Sequence, residues 1–278
     1  MSQKESLCVF DCETIPDTEL IEKFASSDML KASKNGKKID LKKLSELFMK
    51  EHEEKTGSGF LPVNFHKIVC ISCVMCDEFG KFIRVTTIPA ENEKEMINKF
   101  LSYIDKFNPR LVSFNGRGFD LPMIMIRAMK YNLSATNYFC TNDKLNGKDK
   151  WNNYRSRYDG AFHLDLLDHI SDFGSVRGFK LDTLCASLNL PGKYDVSGDQ
   201  VLELYYQNEN DKISEYCQSD VLNTYWLFLK YELLRGNLIK EDYLNNLDLM
   251  KNWLNQNKPQ ASYTPVFEQY IQKELGEI

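Results

Sequence analysis

Residues 7–13, LCVFDCE, are the stretch on which the fold turns. The apolar run they belong to, residues 6–12, meets two acids and breaks at Thr14 and Pro16, as a buried strand opening into a functional loop would. Asp11 and Glu13 are spaced i, i+2, so on a regular strand both side chains point to one face. Two carboxylates at an apolar strand end are costly unless something positive lies between them, and hard Mg²⁺ or Mn²⁺ prefers carboxylate oxygen. Taken alone, a D-x-E pattern fits an exposed strand end better.

Working outward, residues 67–76 and 81–88 flank the turn-forming Asp77, Glu78 and Gly80 and predict a β-hairpin. Met96, Ile97, Phe100, Leu101 and Ile104 have helical spacing within 91–107. A buried strand at 111–114 leads through a glycine-bearing loop to a helix from about Leu121 to Tyr131, and a short strand is expected at 162–165. Helical patterns follow at 166–173, 180–189, 199–207 and 211–234, with further helices broken near Pro259 and Pro265. Strands precede helices, and the hairpin argues against an all-parallel sheet, so the class is α/β with a mixed sheet. The Lys-rich insertion, about 24–60, reads as a solvated surface segment, helical or partly mobile.

The 35 Lys and Arg against 40 Asp and Glu give a net charge of −5, which excludes a polybasic tail protein. With 42% hydrophobic residues the chain has apolar surface for a large core, which excludes overall disorder. No run approaches the ~20 apolar residues of a membrane-spanning helix, and MSQKESLCVF does not read as a secretory signal. The expectation is a cytoplasmic protein with reduced thiols and no membrane partner.

Three segments carry candidate chemistry. Asp120 follows the 111–114 strand and the loop containing Asn115, Gly116 and Gly118, where a helix N-cap is the alternative role. Tyr216 and Asp220 are spaced i, i+4 and share a helix face. Together, D-x-E, N-x-x-x-F-D (Asn115 to Asp120) and Y-x-x-x-D resemble, in order and spacing, the three motifs of DEDD-type 3′-to-5′ exonucleases, tyrosine subclass. The stretches 62–74, 163–168, 180–199 and 216–229 are similar to exonucleases related to the proofreading domain of family-B DNA polymerases. The resemblance spans residues 6 to about 235, so a 1–238 exonuclease domain and a helical extension over 239–278 are expected.

The resemblance implies a ribonuclease H-like fold, with Asp11, Glu13, Asp120 and Asp220 around two divalent cations, Mg²⁺ or Mn²⁺. In such enzymes the residue matching Asp11 bridges both ions. Those matching Glu13 and Asp220 complete one site, that matching Asp120 holds the other, and the tyrosine matching Tyr216 orients the attacking water. A tyrosine of pKa about 10 is a poor base at neutral pH, so positioning suits it better. The implied activity is metal-dependent 3′-to-5′ hydrolysis of single-stranded nucleic acid, DNA before RNA, releasing nucleoside 5′-monophosphates, alone or with a replication or repair partner. An exoribonuclease of the same chemistry and a catalytically silent single-strand-binding module are the competing readings. Four intact carboxylates argue against silence.

Thr14, Asn115 and Phe119 are candidates for holding the terminal nucleotide. Residues 144–158 combine cations with aromatics, and Lys148, Lys150, Arg155 and Arg157 are expected to meet phosphates, with Trp151, Tyr154 or Tyr158 stacking on bases. Cys70, Cys73 and Cys76 would alternate faces on a strand and read as core thiols, and His66 and His163 read as structural or as supports for the residues of the site.

Overall fold

The computed structural model describes residues 5–193 and 198–276; residues 194–197, inside the 180–199 stretch noted above, lie outside it. Strand β1 (Leu7–Pro16) leads into α1 (Thr18–Phe24), α2 (Ser27–Ala32), a small hairpin of β2 (Lys34–Asn35) and β3 (Lys38–Ile39), and α3 (Leu41–Thr56). Then come β4 (His66–Cys76), β5 (Phe82–Thr87), α4 (Glu93–Phe107), β6 (Arg110–Ser113), α5 (Asp120–Lys130), α6 (Thr136–Phe139) and β7 (His163–Asp165). The remainder is helical: α7 (Leu166–Ile170), α8 (Leu181–Ser187), α9 (Val201–Tyr206), α10 (Asn210–Leu234), α11 (Lys240–Asn257) and α12 (Tyr263–Gly276).

The main sheet has the order β5-β4-β1-β6-β7. β4 is antiparallel to β1 and β5, whereas β1, β6 and β7 run parallel, giving a mixed, ribonuclease H-like sheet flanked by helices. Strand β1 is longer than its apolar run suggests, because β4 pairs along it as far as Pro16, with a bulge between Glu13 and Thr14. Alternation sorts its side chains: Cys8, Phe10 and Cys12 join the apolar layer under α4 and α5, while Leu7 and Val9 join the layer under α10. Asp11 and Glu13 continue that second face. The cysteines of β4 divide as expected, Cys73 packing with the α4 side and Cys70 and Cys76 with the other clusters.

Met96, Ile97, Phe100, Leu101 and Ile104 are all buried on α4. Helix α10 is buried nearly all round, as a helix sandwiched between a sheet and further helices must be. On one side it covers β1 and β4; on the other Trp226 and Tyr225 meet Tyr243, Leu247, Met250, Tyr263 and Phe267 of α11 and α12 in a single apolar cluster that also contains Val9 and Val74. Trp226 Nε1 donates to Tyr243 Oη at 2.9 Å, and Tyr263 Oη donates to Gln218 Oε1 at 2.6 Å. Helices α11 and α12 therefore share a core with the sheet.

The Lys-rich stretch is folded. Ile21, Leu44 and Leu61 are buried together, with Met29, Leu30, Phe48 and Phe65 packed around them, while Lys31, Lys34, Lys37, Lys38 and Lys43 face solvent. Asp40 caps α3 by accepting from the Lys43 amide. Lys42 pairs with Glu203 of α9, tying this insert to the main body. Its exit segment, residues 57–62, comes down beside the end of β1.

Candidate active site

In the parallel part of the sheet, the carboxyl ends of β1, β6 and β7 lie together, the usual place for a site in open α/β sheets. Asp11, Glu13, Asp120, Tyr216 and Asp220 all line one cleft of about 1090 Å³ there. Asp11 and Glu13 come from β1, Asp120 is the first residue of α5, and Tyr216 and Asp220 project from α10. Asp120 is not an N-cap; Phe119 holds that position, with no side-chain cap. Cys217 Sγ, 3.5 Å from the Asp11 carbonyl oxygen, ties α10 to β1. Oxygens of Asp11 and Glu13 and the Cys217 sulfur lie within 4.8 Å of one another.

Burial and crowding make these acids reluctant to ionise. Burial pushes Asp120 up to about 7 and Asp220 up to about 6, with Lys193 opposing the second rise. Asp11 is raised well above the usual carboxylate range by burial and then by the charges of Asp120 and Asp220. Glu13 is raised likewise, by burial and then by Asp11 and Asp220. Four hard oxygen donors that repel one another at the bottom of a cleft fit divalent cations by donor chemistry. Burial and the neighbouring acids also lift the Tyr216 phenol above its ordinary value, so it stays protonated at neutral pH.

The loop before Asp120 is shaped by backbone contacts. Asn115 adopts a left-handed conformation (φ 65°) and its carbonyl accepts from the Gly118 and Phe119 amides. Gly116 passes so close to Ser113 that a Cβ would lie 2.4 Å from its Oγ, which explains the glycine. Asp165, at the end of β7, accepts from the Asn115 and Leu167 amides through one oxygen and from the Arg117 amide through the other. His163 bridges Ser113 Oγ (2.8 Å) and Arg117 Nη2 (3.1 Å), and burial keeps it neutral. His66 accepts from Thr14 Oγ1 through Nδ1 and donates to the Leu61 carbonyl through Nε2. That tautomer follows because a carbonyl can only accept. Both histidines are structural in this arrangement.

Thr14, Asn115 and Phe119 line the carboxylate cleft. The 144–158 segment does not; it borders a separate hollow that shares no lining residue with it. Lys148 requires correction: it is 1% exposed, its Nζ donates to the Asn137 carbonyl (2.7 Å) and side chain, and it lies over the Tyr154 ring. It cannot meet a phosphate. Tyr154 is equally buried and cannot stack on a base. Arg157 is engaged in a two-point pair with Asp168, and its side chain is 43% exposed. Lys150 and Arg155 remain exposed beside Trp151 and Tyr158, which are 73% and 69% exposed.

Two further residues of the cleft carry no signal in the sequence. Lys193 donates from Nζ to the Tyr216 hydroxyl and lies 3.9 Å from Asp220 Oδ2. Phe60, from the insert's exit, packs on Phe119 and His66. A lysine in a loop and a phenylalanine beside Gly59 have no periodic pattern to mark them.

Residues 58–272 match the family of predicted 3′-5′ exonucleases related to the exonuclease domain of PolB. The chain belongs to that family. The chain is also similar to polymerases: a DNA polymerase of Bombyx mori nuclear polyhedrosis virus is 26% identical over 152 residues, 51% of this chain and 15% of the polymerase. A DNA polymerase of Archaeoglobus fulgidus is 23% identical over 180 residues, 57% of this chain and 22% of that protein. The family B DNA polymerase structure from Pyrobaculum calidifontis overlays 91% of this chain on 29% of its own, with 17% identity and a TM-score of 0.48. The chain thus spans less than a third of each of these three polymerases. The family match runs through α11 and most of α12, beyond residue 235 where the motif resemblance ends. Among the described residues no helix is long and apolar enough to cross a membrane.

Proposed function

We propose that this exonuclease family member removes nucleoside 5′-monophosphates from the 3′ ends of single-stranded nucleic acid, DNA in preference to RNA. The observation that carries the reading is the convergence of Asp11, Glu13, Asp120 and Asp220, from three elements, with Tyr216 at the floor of one cleft. A binding module has no use for four acids gathered in one cleft, where burial and neighbouring carboxylates raise both Asp11 and Glu13. The four carboxylates would hold two divalent cations, Mg²⁺ or Mn²⁺, and such ions when bound supply Lewis acidity to the scissile phosphodiester. Tyr216, protonated and held by Lys193, positions a water through its hydroxyl and does not accept its proton. Thr14, Asn115 and Phe119 border the space for the terminal nucleotide, and Lys150 and Arg155 offer charge to the strand further from its end. That the relatives are DNA polymerases favours DNA, and a replication or repair assembly is the setting this implies.

The test is incubation of the pure protein with 5′-labelled DNA and RNA strands, with Mn²⁺ or Mg²⁺ and with chelator. Stepwise shortening of DNA that vanishes with chelator and in Asp11→Ala is expected. Cleavage of closed single-stranded circles, or full activity of Asp11→Ala, would overturn the proposal.

A further inference from the structure

Phe60 is 59% exposed, whereas the adjacent Leu61 is buried. It stands outside the insert's own cluster of Ile21, Leu44 and Leu61 and lines the carboxylate cleft instead. Its ring centroid lies 4.8 Å from that of His66 and 5.1 Å from that of Phe119. His66 is in turn fixed on both nitrogens, by Thr14 and the Leu61 carbonyl. The ring is therefore backed by rigid neighbours and leaves apolar surface turned to the cleft, where water gains nothing from it. We infer that Phe60 is an aromatic platform on which a base within the last two nucleotides of the strand stacks, so that the insert, and not the catalytic sheet alone, selects unpaired ends.

The inference rests on the proposed reading of the cleft as a strand-end site. A base whose face lies on Phe60 cannot remain in a duplex stack, so a paired end must first open. Stacking of this kind tolerates any base, since every base presents a π face. A nucleotide without a base has nothing to offer the ring.

The experiment uses single strands carrying 2-aminopurine at the last two positions, bound in Ca²⁺, together with steady-state hydrolysis in Mn²⁺. Wild type should quench the fluorescence on binding; Phe60→Ala should not, and its KM should rise by about 5- to 150-fold with kcat nearly unchanged. Phe60→Trp should behave like wild type. On strands ending in two abasic nucleotides, Phe60→Ala and wild type should be indistinguishable. Quenching that survives in Phe60→Ala, or an equal loss on abasic and normal ends, would overturn the platform. Phe60-dependent quenching without hydrolysis would leave the platform standing and sink the exonuclease reading.

Discussion

The side-chain ammonium of Lys193 donates a hydrogen bond to the hydroxyl of Tyr216. The same ammonium is 3.9 Å from Asp220, one helical turn further along α10. A donor on the phenol oxygen fixes where its hydrogen points, and a protonated phenol with a fixed hydrogen is a positioning group.

Tyr216→Phe should therefore lower single-turnover hydrolysis by about 10- to 100-fold while strand affinity in Ca²⁺ stays at the wild-type value. If Lys193 acts through that hydroxyl, the double variant with Lys193→Met should be no slower than the worse single variant. Fully additive losses would separate the two residues, and an unchanged Tyr216→Phe rate would remove Tyr216 from the chemistry.

Metal should stabilise the fold more at high pH than at low pH. Asp220 and Asp120 titrate at about 6 and about 7 in the folded chain, against about 4 when unfolded. Their contribution to stability is complete below about pH 4 and is lost as pH rises through 6 and 7, because the unfolded chain ionises first. Bound cations offset the repulsion. The melting temperature gained with Mn²⁺ should thus be larger at pH 8 than at pH 5, and scanning calorimetry showing equal gains would contradict the carboxylate assignment.

Lys148 and Lys150 should part company. Lys148→Met leaves the Asn137 oxygens short of a buried donor and should cost about 1 to 3 kcal/mol in urea unfolding, with strand affinity unaltered. Replacing Lys150 and Arg155 by Gln should leave stability alone and flatten the salt dependence of strand binding. An unchanged salt slope would make this surface an ordinary solvated loop.

Asp165→Asn should slow hydrolysis although Asp165 hydrogen-bonds only to backbone amides and to none of the four cleft carboxylates. Its amide would present a donor to the Asn115 or Arg117 N–H that now meets an oxygen. A loss of about 2 kcal/mol is expected, with looser protection of the Asn115 to Phe119 amides in hydrogen exchange. Wild-type protection would show that the loop holds its shape without Asp165.

Much of this was legible because strand alternation and helical spacing are local. Asp11 and Glu13 face one side of β1 as their parity requires, and Tyr216 and Asp220 share a face of α10 as theirs requires. Asp120 was findable as the acid between an apolar strand and an apolar helix. What could not be read depends on distant neighbours. Lys148 is a buried cation because Asn137, Tyr154 and Phe162 surround it, and nothing in its own segment separates it from Lys150. The insert's lysines concealed a small apolar core, because Ile21, Leu44 and Leu61 are too far apart in the chain to form a periodic pattern.

Helix α10 has 25 residues and extends about 37 Å. Tyr216 and Asp220 ride on it, and α11 and α12 clamp it through Tyr243 on Trp226 and Tyr263 on Gln218. Gln218 sits between Tyr216 and Asp220 on the rod. Helices α11 and α12 consequently act as a vice on the lever that sets the pitch of Tyr216 and Asp220: cutting them away would register as a cleft out of alignment before it registered as a missing appendage.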